Sequence, residues 1–538
     1  MKYLYIVLLI LPTFLSSQSI VIEGATQIDA REVVVGSYPS DDELLVFINH
    51  DTDLTLEDST YSSIGGYDIS IAILEGGYLD YGLSLATTGS EKWYSFEVLG
   101  EATDSAYFVA QFQDSLKIQF EDEDDDSDVW QNSSYPYPVG IMMSDENSIL
   151  WRSYLGYADT STIITTTHKG NLYMAGLFAD SLYYESPNGS VSKHYVAAFE
   201  QAMFLAKINN YGTMDWIEMI DGGNFANVAN LAMIDSDVSL LYNNIAGSTM
   251  VQYDESGTLV RTAEWNNCVL VHSQYELGNL YLSGWVDTDQ EHNLDVTGGT
   301  VTLPAGNDTD GVLLSYDSDL NLNWVQNIAG TNRSHIINFD IAGVQEAIYV
   351  TGHVRGQSLL GDDIVLIAAD DDHDLLIAKY TLDGSPLWAE VYTGEGNDSG
   401  RYIHIAEEQD DQVQVHVVAT FTGDLTLPID FFEETFVDNF ESSPLSWVAL
   451  TFEEDFDSST PDIEEEVLLL SPNPTQTYLE VGGSTTSTST YAITNVNGVT
   501  HHLVAKDGRL DVSALLPGVY TVTMADGSKL YSSTFVKI

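Results

Sequence analysis

Short apolar runs, each closed by small or polar turn residues, recur along most of the chain. This is the pattern of strands rather than helices. Four runs are alike: Ala106–Leu116 (AYFVAQFQDSL), Leu172–Leu182 (LYMAGLFADSL), Asn279–Asp289 (NLYLSGWVDTD) and Ile348–Leu359 (IYVTGHVRGQSL). Each has an apolar strand, a small residue or glycine, then a second short strand or a polar break. Weaker copies at Val33–Tyr38, Ser239–Asn243 and Val415–Gly423 bring this first type to seven.

A second strand type alternates with the first. Its clearest copies are Phe204–Gly212 (FLAKINNYG), ahead of Trp216, and Leu376–Gly384 (LIAKYTLDG), ahead of Trp388. Val312–Leu320 leads to Trp324, Gly140–Ser148 to Trp151, and Met250–Gly257 to Trp265. Asp68–Glu75, with Trp93 downstream, and Trp447–Asp455 complete seven copies. The Trp93–Trp151, Trp151–Trp216 and Trp324–Trp388 spacings are 58, 65 and 64 residues. One period of this length, with two strand types, predicts four-stranded blades. A lone blade cannot bury its faces, so neighbours must stack. The recurrent Trp is expected to pack between blades. The fold class is therefore all-β: a β-propeller over residues 20–451, seven-bladed in preference to six or eight. Strands from the two ends, near Val33 and Trp447, are expected to complete one blade together and remove open edges. The repeat resembles the bacterial β-propeller repeats found on exported proteins, with an "LAKY…DG…W…YVTG" pattern. That resemblance implies a fold and no activity.

The ends of the chain carry addresses. Lys2, the apolar stretch Tyr3–Leu15 and the small residues Ser16, Ser17 and Ser19 predict a signal peptide over residues 1–19. The stretch is too short to span a bilayer comfortably, and no later run is a transmembrane candidate. After the acidic linker 452–466 (FEEDFDSSTPDIEEE), whose first residues also fit the end of the last strand, comes a module over residues 467–538. Pro472, Asn473 and Pro474 form a rigid turn. Strands are expected at Tyr478–Val481, Tyr491–Val496, Val519–Met524 and Leu530–Val536, with Leu510–Leu516 leading to a Pro517-Gly518 turn. Asn497-Gly498 and Asp526-Gly527 are hairpin turns. On these residues the module, a small β-sandwich, is similar to the type A C-terminal sorting domain of type IX secretion cargo. The motif positions are Pro472, Asn473, Pro474, Gly498, Pro517, Gly518, Tyr520 and Lys537. Thr500, His501 and His502 depart from the more apolar or basic residues of that family. The resemblance implies a Bacteroidetes-like source, passage through the periplasm and outer membrane, and secretion or surface attachment. The type IX machinery is the implied partner.

Charge sharpens this picture. The chain has 17 basic and 82 acidic residues, a net charge of −65. From Val467 onward four basic and four acidic residues cancel, so the excess lies in the propeller and linker. Such a surface repels phosphate backbones, which excludes nucleic acid as a partner. Cys268 is the only cysteine, so there is no intrachain disulfide; it sits in an apolar run as a core thiol. His272 beside it, and His353 and His416 in repeat strands, are expected to be structural.

No nucleophile elbow, HExxH, P-loop or CxxC occurs. Paired carboxylates carry no weight in so acidic a chain. Calcium is the cofactor that short Asp-rich loops suit. The candidates are Asp124, Asp125 and Asp126; Asp308 and Asp310; and Asp371 and Asp372, with His373 nearby. The function expected is a non-catalytic binding or adhesion module for an extracellular glycan or protein. The alternative is an extracellular polysaccharide- or protein-degrading enzyme with its site at the channel.

Overall fold

The structure is a computed structural model. It describes residues 21–538 apart from the connections 29–31, 38–43, 51–53, 57–58, 62–67, 76–77, 86–90, 99–105, 113–114, 119–127, 132–138, 146–147, 196–200, 222–226, 288–291, 297–298, 304–307, 331, 362–363, 369–371, 395, 409–411, 430–431, 438–445, 456–463, 468, 472–474, 483–489, 496–499, 505–508, 514, 516–517 and 527–528. The expected signal peptide lies outside the described residues, as do Asp124, Asp125, Asp126, Asp371, Pro472, Asn473, Pro474, Gly498 and Pro517. Every described element is a β-strand. The chain divides into two compact parts, Met1–Asp455 and Phe456–Ile538.

In the first part, seven four-stranded antiparallel meanders follow one another. Unit one holds Glu32–Ser37, Leu44–His50, Asp68–Glu75 and Tyr78–Leu85. Unit two holds Glu91–Val98, Ala106–Phe112, Val139–Asp145 and the first part of Ser148–His168. The rest of that strand opens unit three, followed by Asn171–Glu185, Gln201–Ile208 and Met214–Ile220. Unit four is Asn227–Ile234, Asp237–Asn244, Gly247–Tyr253 and Leu259–Asn266. Unit five is Cys268–Glu276, Asn279–Asp287, Thr309–Asp317 and Leu322–Gly330. Unit six is Ser334–Ala342, Ala347–Val354, Asp374–Thr381 and Pro386–Tyr392. Unit seven takes Ser399–Glu408, Gln412–Phe421 and Ser446–Asp455 from late in this part. Its fourth strand, Val21–Ile28, comes from the start, paired from Val21↔Glu453 to Ile28↔Trp447.

The second strand type of the sequence forms the third strand of all seven units. The first type forms the second strand, with one correction. Val33–Tyr38 falls in the first strand of unit one, and the true counterpart there is Leu44–His50. The strand near Val33 is thus not the one that joins the C-terminal strands; Val21–Ile28 does so. Trp93 is a second correction: it lies in the first strand of unit two, whereas Trp151, Trp216, Trp265, Trp324 and Trp388 lie in fourth strands. The 58-residue spacing was therefore out of register. Ser446–Asp455 also runs through residues 452–455, so the segment expected as linker begins within a strand.

Burial explains which strands were legible. Ala347–Val354 and Gly247–Tyr253 are buried along their whole length, on both faces. Such strands need a continuous apolar run rather than alternation. Leu259–Asn266, a fourth strand, is mostly exposed and leaves only its Trp as a marker. The core lies between units: one cluster joins Tyr281 and Leu313 of unit five to Ile336, Val350 and Tyr380 of unit six. Another joins Tyr173 and Leu205 of unit three to Val238 and Leu240 of unit four. Truncating one such buried Leu to Ala removes about 2–5 kcal/mol. First strands of consecutive units touch, from Glu32–Ser37 with Glu91–Val98 to Ser334–Ala342 with Ser399–Glu408. Val21–Ile28 also touches Tyr78–Leu85 of unit one. The glycine of "YVTG" has a steric cause. A bulge in the first strand of unit six brings His335 O to 2.1 Å from where a Cβ on Gly352 would sit.

The second part holds two sheets. One orders Glu464–Val467, Lys529–Lys537, Gly518–Asp526, Thr490–Asn495 and Thr500–Val504; the other orders Leu469–Ser471, Tyr478–Gly482 and Arg509–Asp511. Tyr520 stacks on Phe535 at 5.5 Å, with Leu479, Leu510, Val512 and Val522 buried. Lys537 Nζ donates to Ile538 O at 2.9 Å. Thr500–Val504, with His501 and His502, is a strand the sequence pattern did not mark.

Candidate functional site

The two ends of the strands in the first part are built differently. Where third strands turn into fourth strands, connections are tight: Asn209–Thr213, Asp254–Thr258, Asp317–Asn321 and Thr381–Ser385 are closed by backbone hydrogen bonds. Where second strands lead to third strands, six of the seven units insert a hairpin. Its strands are Leu54–Leu56 with Ser59–Tyr61, Ser115–Ile118 with Asp128–Gln131, Asn171–Glu185 with Val191–Tyr195, His292–Val296 with Gly299–Leu303, Gln357–Leu360 with Ile364–Ile367, and Asp424–Ile429 with Phe432–Val437. Unit four has a bare turn, Asn244 pairing with Gly247.

On that elaborated side, units five and six bring four rings into a row, with Ser399 of unit seven beside it. Trp285 stacks on His335 with centroids 4.0 Å apart and planes 10° from parallel. His335 meets His353 at 4.6 Å, and His353 stacks on His373 at 4.2 Å and 12°. Register makes the row: His335 and His353 are cross-strand partners, and Val354 pairs with Asp374, next after His373. Thr309 Oγ1 lies 3.0 Å from His335 Nε2, and Ser399 Oγ lies 3.0 Å from His353 Nδ1. His353 Nε2 is buried without a hydrogen-bond partner. The backbone N–H of His373 donates to Asn397 Oδ1, and its carbonyl accepts from Asp398 N–H.

Charge surrounds the rings. Three of the chain's seven arginines, Arg333, Arg355 and Arg401, act on these histidines. Burial, then Arg333, lowers His335 to about 3. Burial lowers His353 well below the usual histidine range, with His335, His373 and Arg401 adding to it. Burial, Arg333 and Arg355 lower His373 against the opposing pull of Asp372 and Asp308. All three are neutral at pH 7, each with one N–H donor and one acceptor. Burial, and then the charge of Asp374, pushes Asp398 up to about 8. Asp310, buried and holding Asn327 Nδ2 at 3.4 Å, is pushed up to about 6 by burial. Arg333 Nη2 contacts Asp308 Oδ1 at 3.5 Å; the two side chains are 43% and 37% exposed.

Of the calcium candidates, Asp308, Asp310 and Asp372 fall in this region. Asp308 faces a guanidinium, and among the described residues no three His, Cys, Asp or Glu side chains converge to hold a metal ion. His353, expected as structural, is in the ring row. Sequence reasoning passed over Trp285, His335, Arg333, Arg355, Arg401 and Asp398. The available signal was the gathering of scarce arginines at the strand ends of adjacent repeats. Cys268 is fully buried, with its thiol pushed up by burial, and His272 contacts Phe339 in the interior.

No family model and no curated protein matches the chain. Among solved structures it is similar to prolyl oligopeptidase B from Galerina marginata, at 10% identity and a TM-score of 0.32, over 74% of this chain and 47% of that one. It is also similar to the rhamnogalacturonan lyase PL11 of Bacillus licheniformis, at 10% identity and a TM-score of 0.27, over 91% and 90% of the two chains. The chain thus spans about half the length of the peptidase. Likeness at this level transfers no residue role.

Proposed function

We propose that the seven units close into a propeller ring that binds an extracellular glycan or protein, without catalysis, after export through the type IX route. The observation that carries the binding role is the asymmetry of the two strand ends: six hairpins and the ring row on one side, tight turns on the other. Loops on a rigid scaffold are where propellers place function. Ring closure is supported by the successive contacts of first strands, by Val21–Ile28 completing unit seven, and by its contact with unit one. Export is supported by the N-terminal signal pattern and by the SPNP, NG and PGVY motifs from residue 471 onward. No described helix is long and apolar enough to cross a membrane. A glycan and protein array on the full chain, followed by a turnover assay on each hit, tests the role: binding without product release is expected. Deleting residues 467–538 in the producing cell is expected to leave the protein in the periplasm; unchanged arrival at the surface would refute the sorting role.

One observation favours the enzyme reading. Asp398 lies beside the ring row with its N–H on His373 O, and burial, then Asp374, pushes it up to about 8, toward the range a general acid uses. Its side chain is fully buried, so a substrate would have to open the site to reach it. Product release in the same turnover assay, lost on Asp398→Asn, would establish it. Calcium, expected from the acidic connections, is tested by melting in calcium against chelator, where a bound ion raises the midpoint.

A further inference from the structure

We propose that the accessible rim of the ring row, Arg333, Arg355 and His373 with Trp285, Asp308 and Asp372, is a subsite for a carboxylate-bearing sugar residue of an extracellular polymer. This rests on the binding role above and names the chemistry it would recognise.

The case begins with scarcity. In a chain of net charge −65, an anion is repelled over most of the surface, so an anion site must be local and built. Arg333 precedes the first strand of unit six and Arg355 follows its second strand, so the meander sets both at one end of one unit. The Nε of each is buried without a hydrogen-bond partner. Arg333 Nη2 already meets Asp308 Oδ1 at 3.5 Å, and the outer N–H fork of a guanidinium is matched by a planar carboxylate, which accepts two parallel N–H bonds. His353 Nε2, also buried without a partner, adds a polar atom that the folded chain leaves unused.

A bare anion does not account for the rest of the cluster. Asp308 and Asp372 would oppose it, yet both sit beside the arginines' histidine neighbours. Ionised carboxylates accept only, and sugar hydroxyls are the donors they suit. Trp285, half-buried, ends the row with one face on His335, and an indole face is what meets the C–H face of a sugar ring. Arginine for the acid group, aspartate for hydroxyls and an indole for the ring together fit a sugar acid. They fit a sulfate ester or an acidic peptide less well, because neither needs the aspartates.

The test uses the full chain and four polymers: polygalacturonate, its methyl ester, dextran sulfate and polyglutamate. Retention of polygalacturonate alone is expected, weakened at least tenfold in the Arg333→Gln/Arg355→Gln variant with its melting midpoint unchanged. Arg333→Lys, which keeps charge but loses the fork, is expected to restore only part of the binding. No retention of polygalacturonate overturns the proposal. So does equal retention of the ester, of dextran sulfate or of polyglutamate. If the double variant melts early, Trp285→Ala is read instead, and unchanged binding there counts against the site. Binding of neutral glycans that ignores all these variants would sink the subsite and leave the binding role; product release would sink the binding role itself.

Discussion

The junction between units three and four and that between units six and seven start from the same three side chains and finish differently. In unit three, Tyr173, Lys207 and Trp216 come from the second, third and fourth strands; in unit six, Tyr349, Lys379 and Trp388 do the same. Each Tyr–Trp pair has centroids 6.1 Å apart, and each Lys Nζ lies over its Tyr ring. At three/four, Trp216 Nε1 and Lys207 Nζ both donate to Glu255 O, a turn carbonyl of the next unit, at 3.1 and 3.3 Å. The Glu255 carboxylate points outward to Lys169 at 2.6 Å, both about half exposed. At six/seven, Trp388, Lys379 and Tyr349 all donate to the Glu454 carboxylate, at 3.0, 2.9 and 2.5 Å, with Lys379 2% and Glu454 0% exposed.

Register shows why. Asn210, Glu255, Leu382 and Glu454 occupy one position, two residues past the strand partners Ile208, Tyr253, Tyr380 and Phe452. In the first three, a tight turn presents a backbone carbonyl to the preceding unit's Trp. Unit seven has no such turn, because its fourth strand comes from the start of the chain. A side-chain carboxylate supplies the acceptor that the turn would have supplied. A full charge thereby replaces a dipole, and a full charge in the interior must keep every partner.

The largest expected effect separates the two glutamates. Glu454→Ala strands Lys379 in the interior and is expected to cost about 3–5 kcal/mol in denaturant unfolding. Glu255→Ala, at an exposed pair, is expected to leave the midpoint unmoved. Lys379→Met combined with Glu454→Leu should recover part of the loss, leaving Tyr349 and Trp388 unpartnered. Equal midpoints for the two single variants would remove the distinction.

The other end of the six/seven junction responds to pH. Asp398 is pushed up to about 8, whereas an unfolded aspartate titrates near 4. Between those values the folded state holds the extra proton. Its contribution to stability is therefore full below about pH 4 and is lost progressively as pH rises through about 8. His335 works the other way. Lowered to about 3, it costs stability as pH falls below the unfolded histidine value, about 6.5. Asp398→Asn is expected to flatten the melting profile between about pH 4 and 8 and leave it unchanged below about pH 4. A parallel profile would show that Asp398 is not protonated in the fold.

The repeat was legible because second and third strands are buried on both faces and must be written as continuous apolar runs. Val21–Ile28 was not, since its partner lies at the far end of the first part and its own run is broken by Glu23 and Gly24. The ring row was illegible for a related reason. Trp285, His335, His353 and His373 are scattered over adjacent repeats, and only the strand register makes them neighbours. Glu454 fell both at the end of the last repeat strand and in the acidic linker, because composition cannot tell a buried carboxylate from the acidic residues that follow it.

The tight turn itself can be broken next. Gly257 has φ +83°, and a Cβ there would approach Trp216 Cγ to 2.8 Å. Gly257→Ala adds a left-handed penalty of about 1 kcal/mol and a clash that displaces the indole from Glu255 O. Six/seven has no glycine in this role, so the same indole contact is insulated from turn geometry there. Gly384→Ala, beneath Trp324, should behave as Gly257→Ala does. Unit five already shows the alternative: Leu320 takes φ +62° in the equivalent turn, and Trp265 donates to the Tyr316 hydroxyl instead of a turn carbonyl.

The finest comparison removes one N–H and little else. Trp→Phe keeps an aromatic ring in place and deletes the donor. At Trp388 the lost bond goes to a buried carboxylate, a class that contributes about 1.5–3 kcal/mol. At Trp216 it goes to a carbonyl that still accepts from Lys207, and a neutral bond contributes about 1 kcal/mol. The shared ring loss is the same at both sites, so it cancels when the two variants are compared. Trp388→Phe should therefore unfold at lower denaturant than Trp216→Phe, and adding Glu454→Gln should shrink that gap. An equal loss at both sites, unchanged by Glu454→Gln, would mean that the carboxylate serves the tryptophan no better than the turn carbonyl it replaces.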